Sequence, residues 1–170
     1  MLEKLPAAIR DAFEPIPRRR LHVTLRFLGD VPNAESRQLE QALAAELSLV
    51  DFVMELSAPG VFVNPEQSVL WLGVHCDRFP EVLADIERAM IDFRVAPVDH
   101  DFVGHLTIAR VRTDSSVVAD LETAVSRIPA PARLPVRTRS VVLFESSGAG
   151  GFRRVARFGA NPEEPDDVEE

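Results

Sequence analysis

The stretches LHVTLRFLG, residues 21–29, and HLTIARV, residues 105–111, carry the same short pattern, and this pattern decides the fold. Each contains a histidine, an apolar residue, a threonine and a second apolar residue, as His22-Val23-Thr24-Leu25 and as His105-Leu106-Thr107-Ile108. Short apolar runs of this kind predict β-strands, in which side chains alternate between two faces. In each copy the histidine and the threonine are therefore expected to point the same way.

The repeated pattern predicts an acid–base site. Two imidazoles, each with a hydroxyl beside it, are expected to meet only where two similar halves of the chain face each other. One imidazole can then act as general base and the other as general acid, so that a phosphodiester is cleaved without a metal. The hydroxyls of Thr24 and Thr107 can donate to the non-bridging phosphate oxygens, although threonine is also an ordinary strand residue. The catalytic interpretation is favoured because two of only four histidines fall in the pattern.

Length and composition indicate a globular protein of one domain or two closely packed lobes. The chain has 170 residues, of which 46% are hydrophobic, enough for a core. The net charge is −8, but the last ten residues hold six acids, and removing those six charges leaves −2. We predict a folded domain over residues 1–160 and a disordered acidic tail over residues 161–170.

The cysteine count and the absence of long apolar runs indicate the cellular compartment in which the protein is expected. Cys76 is the single cysteine, which excludes an internal disulfide and fits a reducing compartment. No segment has the length or the uninterrupted apolar character of a signal peptide or a membrane span. We therefore expect a cytoplasmic monomer that does not associate with membranes.

Hydrophobic spacing predicts a mixed order of helices and strands. Helical spacing is found over Leu2–Ile16, about Ala34–Leu47, Phe79–Phe93 and Val118–Ile128. Besides the two motifs, strands are predicted at Phe52–Leu56, Val69–His75, Val136–Glu145 and Phe152–Phe158, with a loop through Pro59, Gly60 and Pro65. A helix and then further strands follow each motif, which indicates an α+β fold of two lobes, each with a sheet covered by helices.

The motifs carry a resemblance to a known family. The strings HVTLRFLGDV and GHLTIARV and the closing VVLFESSGAGGFRRVARF resemble the two-histidine phosphoesterase superfamily, from about Leu21 to Phe158. The most similar branch is the RNA 2′,3′-cyclic phosphodiesterase family, historically called 2′-5′ RNA ligase. The resemblance implies a bilobal fold of two pseudo-symmetric antiparallel-sheet lobes with outer helices and the motif residues in a central cleft. It also implies that His22 is the proton donor and His105 the proton acceptor.

The resemblance implies an enzyme that hydrolyses RNA 2′,3′-cyclic phosphodiester ends to 2′-phosphate without a metal or cofactor. RNA with such ends, or small cyclic nucleotides, would be the substrates. Reversible 2′-5′ joining of RNA ends and an RNA-end-binding module with little turnover remain alternatives. The chain departs from the family in one respect, because members usually open with an apolar strand, whereas this one begins in the helix predicted from Leu2. A missing strand would leave a sheet edge unpaired.

Arginines and acids near the motifs are further candidates. Alternation places Arg26 on the face of His22 and Thr24, where it could reach a phosphate. The resemblance implies a phosphate contact for Arg110, but simple alternation places Arg110 opposite His105, so a bulge or strand end is needed. Six further arginines are expected at the surface, with a contact to the RNA backbone as the alternative: Arg18, Arg19, Arg20, Arg153, Arg154 and Arg157. Phe102 and Phe152 are expected in the core but could instead stack a base. A rival metal site would use Asp99, His100, Asp101 and His105.

Overall fold

The computed structural model describes residues 11–48, 50–64, 67–98, 100–111, 121–130, 134–147 and 151–159. Its strands are β1 (Phe13–Pro15), β2 (Phe52–Phe62), β3 (Ser68–His75), β4 (His105–Val111), β5 (Leu134–Thr138), β6 (Ser140–Ser147) and β7 (Gly151–Gly159). Its helices are α1 (Asn33–Glu46), α2 (Phe79–Ala89) and α3 (Leu121–Ser126), with a 3-10 turn at Arg18–Arg20. The predictions for residues 1–10, Asp99, Val118 and the acidic tail lie outside the described residues.

The chain divides into two compact units, and the predicted bilobal α+β class is confirmed. The first unit comprises Met1–Thr24, Glu55–His75 and Phe102–Val136, and the second comprises Leu25–Met54, Cys76–Asp101 and Arg137–Glu170. The structure differs from the expectation in one respect: both histidines and both threonines of the motifs belong to the first unit, not to two different lobes. No helix among the described residues is both long enough and apolar enough to span a bilayer.

A five-stranded sheet with the order β1-β4-β3-β2-β5 organises the first unit. The pairs β1–β4, β4–β3 and β3–β2 are antiparallel. One face of this sheet is a core in which Leu70 of β3 and Ala109 of β4 are both 0% exposed. Leu121 and Val125 of α3 belong to the same buried cluster, together with Phe13 of β1. The core thus packs against β4, the strand that carries the second motif.

The second unit combines the antiparallel hairpin β6–β7 with the helices α1 and α2. Buried residues of α2 recur at helical spacing, Phe79, Val82, Ile86 and Ala89, as expected for an amphipathic helix. An ion pair of 2.9 Å joins Arg88 of α2 to Glu46 of α1. Arg137 of β5 donates two hydrogen bonds, of 2.8 and 2.6 Å, to the carboxylate of Asp51, the residue before β2. These bonds lower the pKa of the Asp51 carboxyl below its ordinary value.

Two predictions near the chain start and in β2 are wrong. Helical spacing predicts that Ala12, Phe13 and Ile16 continue a helix, but Phe13–Pro15 forms strand β1 and pairs with β4. The prolines of this segment disfavour a helix, and pairing with β4 supplies the alternative. Pro59 and Gly60 are predicted in a loop, but both belong to β2, where the register with β3 shifts between Leu56 and Pro59. Such a bulge accommodates a proline within a sheet.

Three further predicted elements have different limits. Helix α2 ends at Ala89, so that Phe93 lies beyond it. The single strand predicted over Val136–Glu145 is two strands, β5 and β6, which belong to different sheets. The first motif forms no regular strand, because only Val23 makes a β-bridge.

The core prediction concerns Leu70. Replacing it with alanine removes buried methyl groups at a position with 0% exposure, and the surrounding core refills the space only in part. We expect Leu70→Ala to lower the free energy of unfolding by about 2–5 kcal/mol, measured by urea denaturation. The control Val53→Ala, at a side chain 52% exposed on β2, should change it by less than about 1 kcal/mol. Equal effects of the two substitutions would contradict this description of the core.

Candidate active site

A single antiparallel β-bridge between Val23 and Leu106 brings the two motifs together. Residues directly opposite each other in an antiparallel pair point to the same face, and neighbours along each chain point to the other. The bridge therefore places His22 opposite Thr107 and Thr24 opposite His105, with all four side chains on one face. Leu106 points to the other face. The two histidines lie diagonally across the pair, where side chains are typically about 7–8 Å apart.

Both imidazoles are anchored in the same way. The Nδ1 of His22 lies 2.8 Å from the carbonyl oxygen of Arg20, and the Nδ1 of His105 lies 2.7 Å from that of Val103. A carbonyl oxygen can only accept a hydrogen bond, so each Nδ1 is the donor and carries the proton. In each neutral ring Nε2 is then the basic nitrogen.

A β-bulge brings Arg110 to the motif face. Thr107 pairs with Trp71 of β3 and Ala109 with Leu70, so that Ile108 is an extra residue in β4. Ile108 and Ala109 both pack with the core cluster, which shows that the alternation is interrupted there. Arg110, paired with Val69, therefore returns to the face of His105 and Thr107. Among the described residues, no carboxylate lies within ion-pair distance of Arg110.

An aromatic cluster surrounds His105. The ring of Phe62 meets the imidazole edge to face, with centroids 5.1 Å apart, and Trp71 lies 6.2 Å from it. The indole packs over Gly60, the residue paired with Trp71 on β2, and a Cβ at Gly60 would overlap it. Sequence reasoning missed Phe62 and Trp71. The pairing of β2 with β3 places positions 62 and 71 on one face of the sheet. The sequence alone does not give this register, so it does not show that the two aromatic residues lie together.

The contacts of Arg26 described in the structure are all with protein groups. Its guanidinium donates to the Glu87 carboxylate and to the carbonyl oxygens of Phe27 and Ala96, each at 2.6 Å. The side chain is largely buried. The backbone of the same segment is also tied to Ala96, whose amide donates to the Leu28 carbonyl at 2.7 Å. These bonds give Arg26 a structural role within the second unit, so a phosphate contact finds no support here.

The other candidates are placed as follows. Arg18 and Arg19 are exposed, as are Arg153 and Arg154. Phe152 is half-exposed and packs edge to face against Phe144, whereas Phe102 is partly buried. Among the described residues no three histidine, cysteine or acidic side chains could share a metal ion. Asp99 lies outside the described residues, so the rival metal site is not tested there.

Both motifs thus present an anchored imidazole and a threonine on one shared face. The chain belongs to the 2′-5′ RNA ligase superfamily, whose family model matches residues 2–149. It is 35% identical over 98 residues to an RNA 2′,3′-cyclic phosphodiesterase of Methanothermobacter thermautotrophicus, covering 54% of this chain and 51% of the relative. A protein of the same name from Archaeoglobus fulgidus is 32% identical over 111 residues, covering 65% and 61%. The chain thus matches about half to three fifths of these relatives' length.

Solved structures show the same fold. Escherichia coli LigT complexed with 3′-AMP superposes with a TM-score of 0.66 at 20% identity, covering 92% of this chain and 84% of that one. The protein TT0787 of Thermus thermophilus gives a TM-score of 0.64 at 22% identity, covering 90% and 85%. At this level of identity the two structures establish the architecture alone.

The aromatic cluster generates a prediction for Gly60. A methyl group added there must displace the Trp71 indole and disturb its contact with His105. Since Trp71 is the only tryptophan, we expect Gly60→Ala to shift the intrinsic emission maximum and the His105 ring proton resonances in an NMR spectrum. The control Val63→Ala, at an exposed neighbouring position, should leave both unchanged. Unaltered emission from a folded Gly60→Ala variant would show that the indole does not pack on Gly60.

Proposed function

We propose that this protein is a metal-independent RNA 2′,3′-cyclic phosphodiesterase, with His22 as general acid and His105 as general base. The observation that carries the proposal is the Val23–Leu106 bridge, because it places both imidazoles and both threonine hydroxyls on one face. The diagonal separation of the histidines, typically about 7–8 Å, leaves room for a phosphoryl group between them. The names of the archaeal relatives agree with this activity.

The reaction divides the proton transfers between the two Nε2 atoms. His105 Nε2 takes a proton from a water molecule, whose oxygen forms a bond to phosphorus. The bond from phosphorus to the ribose 3′ oxygen breaks, and the proton on His22 Nε2 passes to that oxygen. The product is a 2′-phosphate with a free 3′ hydroxyl. The histidines end with exchanged protonation states, and proton exchange with solvent restores them.

Thr24, Thr107 and Arg110 would stabilise the phosphoryl group. The threonine hydroxyls lie opposite the histidines and would donate hydrogen bonds to the non-bridging oxygens, where negative charge increases in the transition state. Arg110 adds a positive charge on the same face. A guanidinium can bind two phosphate oxygens at once, which would also orient the group.

Location and assembly form part of the proposal. Cys76 is buried and is a free thiol, which suits a reducing compartment. We therefore propose that the protein acts in the cytoplasm. The described site draws its residues from one chain, and a monomer suffices for the proposed reaction.

The proposed roles predict the effect of removing each imidazole. His22→Ala and His105→Ala should each reduce kcat for a cyclic-phosphate-ended oligonucleotide by about 10²–10⁴-fold, the usual contribution of one general acid or base. The double variant should lose less than the product of the two effects, because the pair acts as a unit. His75→Ala, at an exposed histidine at the end of β3, is the matched control and should retain full activity. Near-normal turnover by either motif variant would refute its role.

The direction of ring opening is tested by the product. The attacking water and the leaving oxygen must lie roughly in line through phosphorus, so the acid must sit beside the oxygen that leaves. With His22 beside the 3′ oxygen, we expect phosphorus NMR to show a 2′-phosphate end, formed in the presence of a chelator. A product that is mainly 3′-phosphate would show that the ribose binds in the opposite orientation, with His22 beside the 2′ oxygen. Activity only after a metal is added would favour the metal site, and binding without turnover would favour an RNA-end-binding module.

A further inference from the structure

The turn at Arg18–Arg20 projects from the strand edge next to the first motif. Strand β1 pairs with the end of β4 as far as Pro15 and Ala109, and the Ile16 amide donates to the Ile108 carbonyl at 2.9 Å. The next bridge on the same edge is Val23 to Leu106. Between Ile16 and Val23 the first segment has six residues, 17–22, whereas β4 has only Thr107 between the partners of those two residues. The extra residues leave the sheet edge and form the 3-10 turn. The amides of Arg20 and Leu21 close this turn with hydrogen bonds to the carbonyls of Pro17 and Arg18.

Arg18 and Arg19 differ from five arginines of the second unit in their surroundings. Five arginines there are paired with carboxylates: Arg26 with Glu87, Arg78 with Glu81, Arg88 with Glu46, Arg137 with Asp51 and Arg153 with Glu145. Arg18 and Arg19 are exposed, and no carboxylate of the described residues lies within ion-pair distance of either. The turn itself contains no acid. Two adjacent guanidinium groups that no carboxylate of the described residues neutralises form a local site for anions.

The turn is also connected to the catalytic face. The carbonyl of Arg20, its last residue, accepts the Nδ1 hydrogen bond of His22 at 2.8 Å. The backbone of the turn therefore fixes the ring orientation of the proposed general acid. The Arg18 and Arg19 side chains lie within four residues of that imidazole along the chain. An anion bound by them would belong to the same substrate as the phosphate at His22.

We propose that Arg18 and Arg19 bind backbone phosphates of the RNA strand that ends in the cyclic phosphate. This inference rests on the proposed function, and it adds the substrate class: an oligoribonucleotide rather than a mononucleotide. A cyclic mononucleotide has only the phosphate that reacts, whereas an oligonucleotide has further phosphodiesters for the turn. Guanidinium groups bind phosphate oxygens with charge-assisted, often paired hydrogen bonds. The turn contributes affinity and selectivity for polymer ends and takes no part in proton transfer.

The test compares two substrates with one double variant. We expect Arg18→Ala/Arg19→Ala to lower kcat/KM about tenfold or more for an oligoribonucleotide ending in a 2′,3′-cyclic phosphate, chiefly through KM. Hydrolysis of a 2′,3′-cyclic mononucleotide should be unchanged. The slope of log kcat/KM against log salt for the oligonucleotide should become shallower by about 1.4, since each neutralised phosphate of a single strand contributes about 0.7.

Two further variants isolate the contribution of the charge. Arg18→Lys/Arg19→Lys keeps both charges and should keep most of the salt dependence, although the paired hydrogen bonds are lost. Arg37→Ala removes an exposed arginine from α1 in the second unit and should affect neither substrate. An equal loss in Arg37→Ala would mean that only net charge matters, which would overturn the proposal.

The remaining outcomes separate this inference from the proposed function. Equal losses on both substrates would show that the turn acts only through the His22 ring, and no loss on the oligonucleotide would exclude an RNA contact. If the wild type hydrolyses neither substrate, the proposed function fails. The inference is then decided by fluorescence anisotropy with a labelled single-stranded oligoribonucleotide. The double alanine variant must bind it more weakly than the wild type and Arg37→Ala do, and equal binding would overturn the inference.

Discussion

The bridge between Val23 and Leu106 is the contact on which the site depends. A shift of one residue in this pairing would turn one motif's histidine and threonine toward the core face, because side chains alternate along each segment. The register is therefore as important as the residues themselves. It is secured from the other face of the sheet, where Leu70 and Ala109 are fully buried and hold β4 in place. Core packing and the geometry of the site are thus two consequences of one strand's position.

The equivalent anchors of the two histidines have a chemical consequence. Each ring donates its Nδ1 proton to the carbonyl two residues before it, so each offers Nε2 for chemistry. In the proposed reaction the roles of acid and base follow from which side holds the water and which side holds the leaving oxygen. In the reverse direction the two histidines exchange these roles without any rearrangement. Joining two ends needs no such exchange, because a 5′ hydroxyl in place of the water would attack the cyclic phosphate with the same base and the same acid and give a 2′-5′ linkage.

Local pattern predicts some elements well and fails where distant segments decide the outcome. Helix α1, expected over Ala34–Leu47, lies at Asn33–Glu46, and the strand expected over Val69–His75 lies at Ser68–His75. The helix has leucines at helical spacing, and the strand is a nearly continuous apolar run. The motif histidines can be identified because their pattern repeats. The side of the strand on which Arg110 lies could not be predicted, because it depends on the unpaired Ile108, and a bulge is a property of two strands together.

The same distinction explains the errors near the motifs. Phe13–Pro15 has helical spacing with the residues before it, but its partner β4 is nearly a hundred residues away in sequence. Arg26 follows the first motif in apparent alternation, yet only Val23 is bridged there, so the alternation does not extend to position 26. Its acceptors, Glu87 and the Ala96 carbonyl, come from a segment that no local rule relates to it. Phe62 and Trp71 were missed for the same reason.

The way the chain is shared between the two units constrains its synthesis and folding. Each unit is assembled from three separate segments, and the chain passes from one unit to the other at Thr24, Met54, His75, Asp101 and Val136. No single cleavage or truncation can therefore release one intact unit. During translation the segment that carries His22 must wait for β4, some eighty residues later, before Val23 has its bridge partner. Contacts of such long range slow folding, so the two units are expected to mature together rather than in sequence.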